Sequence, residues 1–222
     1  MLNTFFARAI VAISFSVFTF CASASTPATE SFKEGKDYQV IPRNANIPHF
    51  SNNEVTVTEF FSYGCPWCYE LEPQLEKWLL KKQPQVTFNR IPVVFEKNWD
   101  LYAKAYYIAQ ALGIEKQITP KIFYAIQERN KTLGTETAME DFFINEGVKR
   151  KIAEDAFASS PTLDTEIKQG LQLMQAYQIY VIPSIVVDGH YRTDLQMATS
   201  EKRMIAITQF LVEKRKLEKK IH

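Results

Sequence analysis

Two cysteines three positions apart, Cys65 and Cys68, are the residues of this 222-residue sequence best placed to do chemistry. They stand in Cys65-Pro66-Trp67-Cys68, between a run that alternates like a strand and a run with helical character. Stabilising disulfide frameworks tie distant segments with more cysteines, whereas this pair closes only a very small loop. Zinc would need two further sulfur or imidazole ligands, and the three histidines, His49, His190 and His222, are scattered. Reversible thiol–disulfide chemistry remains. A strand-to-helix junction suits it, because N–H groups without helical partners and the positive end of the helix dipole stabilise a thiolate on the first cysteine. The second cysteine, one turn further in on the same side, can reach the first but is better protected. Cys65 is therefore expected to exchange with a partner sulfur, and Cys68 to resolve the mixed disulfide.

The elements that must hold this pair are legible in the pattern. A strand from about Val55 to Tyr63 places Val55, Val57, Glu59 and Phe61 on one face and Thr56, Thr58, Phe60 and Ser62 on the other. Gly64 ends it, and a helix from about Pro66 to Lys82 follows, with Pro66 comfortable in a first turn where its missing N–H has no helical partner. Val86 to Val94 predicts a second strand, so the unit is a parallel strand–helix–strand crossover. Tyr38 to Ile41 predicts a short strand before it. A helical block comes next: Leu101, Ala105, Ile108 and Leu112 form one stripe, further helices are expected from Pro120 and around Ala138 to Asn145, and a long helix is capped by Ser160-Pro161. After Ile182-Pro183, Ser184 to Val187 and His190 to Thr193 predict a hairpin turned at Asp188-Gly189, and Thr199 and Ser200 cap a last helix. Trp78 and Trp99 are expected in the core.

The ends and the charge balance bound the setting. Arg8, the apolar run Ala9 to Phe20 and the small-residue triplet Ala22-Ser23-Ala24 predict a secretory signal peptide over residues 1–24, removed after Ala24. The apolar run is shorter than the ~20 residues of a spanning helix. Cys21 raises a lipid-anchored form, but the bulky Phe20 precedes it where a small residue is expected. Losing Arg8 with the leader leaves acidic and basic side chains equal in number, a balance that points to no polyanion or nucleic-acid partner. The basic stretch Lys214, Arg215, Lys216, Lys219 and Lys220 reads as solvated last turns of a helix, where cations also suit the dipole.

Glu59-Phe60-Phe61-Ser62-Tyr63-Gly64-Cys65-Pro66-Trp67-Cys68, with a helical block between the crossover unit and Ile182-Pro183, resembles the DsbA family of bacterial periplasmic oxidoreductases over nearly all of the mature chain. The resemblance implies an α/β, thioredoxin-like fold spanning residues 25–222, with a helical insertion at about 98–178. It implies periplasmic thiol:disulfide exchange that introduces disulfides into exported proteins. No cofactor is expected beyond the Cys65–Cys68 disulfide, and a quinone-linked, DsbB-type membrane protein would reoxidise it. It further implies a cis proline at Pro183, with the Ile182 backbone free to pair with an extended substrate, and a buried Glu59 beneath Cys68 that exchanges its proton. Pro66 and Trp67 would touch substrate. Two alternatives stand beside the oxidase: an isomerase or reductase kept as the dithiol, and a peptide-binding chaperone whose cysteines are incidental. Natural clients and oligomeric state are not encoded in any motif.

Trp67 departs from the histidine of the family's founding member, and an indole supplies no positive charge to a thiolate. The potential of the Cys65–Cys68 couple is therefore expected to lie below the DsbA value of about −120 mV. Trp67→His is expected to raise it in a glutathione redox titration; a wild-type potential at or above that value contradicts the expectation.

Overall fold

A computed structural model describes residues 31–42, 54–81, 84–131, 133–158 and 161–221. The expected leader, residues 1–24, His49, His222 and the expected helix cap Ser160 lie outside the described residues. In chain order the elements of the unit Phe32–His222 are β1 (Gln39–Val40), β2 (Val55–Phe61), α1 (Pro66–Leu79), β3 (Val86–Pro92), α2 (Trp99–Ala111), α3 (Glu115–Gln127), α4 (Glu136–Asn145), α5 (Arg150–Phe157), α6 (Pro161–Ala176), β4 (Ser184–Val187), β5 (Tyr191–Asp194), α7 (Leu195–Ala198) and α8 (Glu201–Ile221).

The strands form one mixed sheet in the order β1-β5-β4-β2-β3. β2 is central, parallel to β3 from Val55↔Val86 to Phe61↔Pro92 and antiparallel to β4. Its alternation therefore divides two buried faces. Val55 and Val57 pack with Leu71 and Leu75 of α1 and with Ile207 and Leu211 of α8. Phe60, pointing the other way, packs with Tyr177 and Val186. Phe61 and Tyr63 enter a third cluster with Tyr106 of α2, Phe123 of α3 and both Cys65 and Cys68, so the redox motif is roofed by the helices between β3 and β4.

Asp188 and Gly189 both take positive φ, 54° and 61°, the backbone that the Asp-Gly pair favours in a two-residue hairpin. Several boundaries differ from expectation. The third helix starts at Glu115 rather than Pro120, because Gly113 turns the chain at φ 69° and the Ile114 carbonyl at once accepts the N–H of Gln117 and Ile118. Pro120 then sits inside α3, where it frees only the carbonyl of the exposed Lys116. α5 and the single turn α7 escape sequence reading: α5 buries only Ala153 and Phe157, too few anchors to make a stripe. Nor is the basic C-terminal stretch merely solvated. Arg215 and Lys219 reach back to the buried carboxylate of Asp188 at 2.7 and 2.9 Å, fastening α8 to the hairpin turn.

Candidate active site

β2 ends at Phe61, and the four residues that follow carry the chain into α1. Ser62 organises the turn, its carbonyl accepting the Cys65 N–H at 3.0 Å and its hydroxyl the Gly64 N–H at 3.2 Å. At Gly64 the Trp99 indole comes so near that a Cβ would lie 2.3 Å from Nε1, so only glycine fits between β2 and the motif. Cys65 is the N-cap of α1 in an extended conformation and Pro66 is the first helical residue, as the spacing predicts. The Cys65 Sγ stands where a capping oxygen usually stands and accepts the Cys68 N–H at 3.1 Å. Both cysteines are free thiols, Cys68 fully buried and Cys65 4% exposed, while Trp67 between them is 58% exposed. Opposite them the Ile182–Pro183 peptide is cis, and the Ile182 carbonyl accepts a long contact from the Cys65 thiol at 3.8 Å.

The two sulfurs have opposite electrostatics. Cys65 is held below the usual thiol value of 9.0, first by the Cys68 thiol and then by the N–H groups of Cys68 and Trp67, against the cost of its own burial. Burial pushes Cys68 well above 9.0, and the Cys65 sulfur and Glu59 carboxylate push it further. Glu59 lies in the lane that places Val57 on one side of it and Phe61 on the other, fully buried in the central strand. Arg90, its cross-strand partner, donates to Oε2 at 2.7 Å, and Oε1 has no hydrogen-bond partner. Arg90 also donates to Glu72 of α1 at 2.5 Å. One guanidinium thus faces two buried carboxyls. Burial outweighs it at both, raising Glu59 and pushing Glu72 up to about 8, so near neutral pH the cluster retains a proton. Glu72 and Arg90 line a cavity of about 550 Å³ together with Phe88, Tyr106 and Pro120, and no residue of the redox motif reaches it. Among the described residues no cluster of histidine, cysteine and carboxylate side chains could hold a metal.

The sequence model of the DSBA-like thioredoxin domain matches residues 56–211, from the second residue of β2 into α8. The chain belongs to the DsbA-like thioredoxin family. A thiol:disulfide interchange protein DsbA of Burkholderia cepacia is 36% identical over 194 residues, covering 86% of this chain and 87% of that protein. The DsbA of Azotobacter vinelandii is 29% identical and covers 89% and 91% respectively. The crystal structure of Pseudomonas aeruginosa DsbA superposes with a TM-score of 0.78 at 28% identity, covering 85% of this chain and 97% of that one. The fold is thus α/β and thioredoxin-like, and the protein is a thiol:disulfide oxidoreductase.

The structure brings every sequence-predicted residue of this DsbA-like site together: Cys65, Pro66, Trp67 and Cys68 at the head of α1, Glu59 in the strand beneath and Ile182-Pro183 opposite. Trp99 is a correction. It is half-buried beside the motif rather than in the core, with its ring 6.4 Å from that of the exposed Phe95, whereas Trp78 is buried as expected. Arg90 and Glu72 are site residues that sequence reading missed. Their signals were present: Arg90 faces Glu59 once the strands are set in register, and Glu72 follows Cys68 by four residues, on the same helix face. Arg90→Met would leave two buried carboxyls without a cation, and is expected to cost about 3–5 kcal/mol of stability near neutral pH. Both carboxyls have raised folded-state pKa values, so ionising them as pH rises disfavours the folded state. The loss in urea unfolding should therefore shrink at about pH 4, where both are protonated; an equal loss at both pH values contradicts it.

Proposed function

We propose that this protein is a periplasmic oxidase that introduces disulfides into exported proteins, and that residues 1–24 are a signal peptide removed to leave a mature domain of residues 25–222, with the helical insertion at about 98–178. In the reaction, a substrate thiolate attacks the Cys65 sulfur of the Cys65–Cys68 disulfide. The S–S bond breaks, its electron pair leaves on Cys68, and Cys68 takes up a proton, with Glu59 as the donor. A second substrate thiolate then attacks the substrate sulfur of the mixed disulfide and Cys65 leaves as thiolate. The substrate has lost two electrons and two protons: the cysteine pair holds both electrons, one proton returns from solvent to Glu59 to replace the one passed to Cys68, and the other stays in water while Cys65 remains a thiolate. A DsbB-type membrane partner, inferred from the family, would carry the electrons onward.

The observation that carries this assignment is the contrast between the two sulfurs. Cys65 caps the helix and has a depressed pKa, which suits a leaving thiolate. Cys68 is fully buried and its pKa is raised, so once released it is protonated rather than left as a competing nucleophile. A reduced form stabilised by a thiolate makes the disulfide a better electron acceptor, the direction an oxidase needs. Glu59 suits proton transfer because it is buried, has a raised pKa and keeps Oε1 unpartnered. Substrate contacts fall to Trp67, exposed beside the sulfur, to Pro66, and to Ile182 and Pro183 across from Cys65.

Acid-quenched thiol trapping in cells is expected to find Cys65 and Cys68 mainly as the disulfide. Cys68→Ser is expected to accumulate mixed disulfides between Cys65 and client proteins, and Cys65→Ser to form none. A mainly dithiol pair in cells would instead indicate the isomerase or reductase.

A further inference from the structure

Three residues of α3 meet a single residue of the redox loop. Thr119, Phe123 and Gln127 recur at i, i+4 and i+8, a spacing that puts them along one side of the helix. All three act on Tyr63, two positions before Cys65 and fully buried. The Thr119 hydroxyl is 2.9 Å from the Tyr63 hydroxyl, in a buried contact. The Phe123 ring meets the Tyr63 ring edge-on, with centroids 5.1 Å apart. The Gln127 amide donates to the Tyr63 carbonyl at 2.8 Å. A carbonyl oxygen can only accept, so that contact fixes which way round the Gln127 amide lies. Hydroxyl, ring and carbonyl of one residue are thus gripped from one helix face.

The grip falls where the sheet has let go. Phe61 is the last residue of β2, and its carbonyl still accepts an N–H from beyond β3, that of Val93 at 2.8 Å. Tyr63 is two residues past the strand, so its carbonyl takes its hydrogen from Gln127 instead. Gly64 follows, set against Trp99 of α2, and then Cys65. Holding Tyr63 therefore holds the backbone that aims the Cys65 sulfur at the Cys68 N–H.

We propose that Gln127 and Thr119 are positioning residues for the reactive thiol: the α3 face seats Tyr63 and so sets how fully the Cys65 sulfur occupies its place at the head of α1. This deepens the oxidase assignment and rests on Cys65 being the exchanging thiol. The helices inserted between β3 and β4 then set the acidity of a sulfur carried by the strand–helix unit.

The test uses the full mature protein with Gln127→Met, which keeps the length of the side chain and removes the donor, and with Thr119→Val, which removes the hydroxyl. Lys104→Met is the control, since Lys104 also donates to a backbone carbonyl, that of Phe157 at 2.6 Å, within the helical block but away from the redox loop. The readouts are the thiolate titration of Cys65, followed by ultraviolet absorbance and by alkylation rate, the potential of the couple, and urea unfolding. With the donor gone, the Cys65 midpoint is expected to rise by about half a unit, an about threefold smaller thiolate fraction at low pH, with a fall in potential. Gln127→Asn should be as shifted as Gln127→Met, because the shorter amide cannot reach. The Lys104→Met titration should match wild type even if its stability falls as far. A normal Cys65 titration and potential in both Gln127→Met and Thr119→Val would overturn the proposal. If either variant fails to fold, the other decides. An ordinary Cys65 midpoint in the wild type would instead count against the oxidase assignment itself.

Discussion

Everything distinctive about this molecule depends on the sulfur that takes the place of a capping oxygen at the head of α1. A helix begins with N–H groups that its own carbonyls cannot reach, and here the Cys65 Sγ receives one of them, from Cys68, at 3.1 Å. The same bond that caps the helix stabilises charge on the sulfur. It also sets the separation of the pair, because the residue donating the N–H is the second cysteine. A strand must deliver Cys65 to that point, and the approach is narrow: Ser62 folds the turn, Gly64 leaves room for Trp99, and Pro66 starts the helix without wasting a donor.

The second sulfur has the converse environment, produced by burial and by negative charge beneath it. Glu59 and Glu72 share one guanidinium, and that imbalance is sustained by holding a proton rather than by admitting a second cation. A carboxyl with one unpartnered oxygen in a sealed interior is costly to keep. Such a cost is consistent with use in moving a proton, since a fully paired carboxylate would have no reason to give one up or take one back.

Much of this was legible in the residues, for identifiable reasons. The dipeptide Asp188-Gly189 encodes its turn locally, and the alternation along β2 puts Glu59 in a buried lane whatever surrounds it. Cys65-Pro66 encodes the strand-to-helix junction in the same local way. What escaped depends on contacts between segments far apart in sequence. Arg90 becomes the partner of Glu59 only through strand register, and Trp99 leaves the core for the rim of the motif because α2 passes Gly64. Pro120 misled because a proline marks a helix start only when nothing upstream has already begun one, and Gly113 had. The Thr119, Phe123 and Gln127 stripe looks like any amphipathic face until Tyr63 is set against it.

The central claim is that one turn of helix separates two thiols of opposite acidity. Alkylation rates of the individual cysteines in the reduced protein, followed across pH by mass spectrometry of the labelled peptides, measure it directly. The account predicts a Cys65 midpoint below the ordinary thiol value of 9.0 and a Cys68 midpoint above it, with Cys68 unlabelled wherever Cys65 is half-labelled. Two midpoints that coincide, or a Cys68 that ionises first, would contradict it.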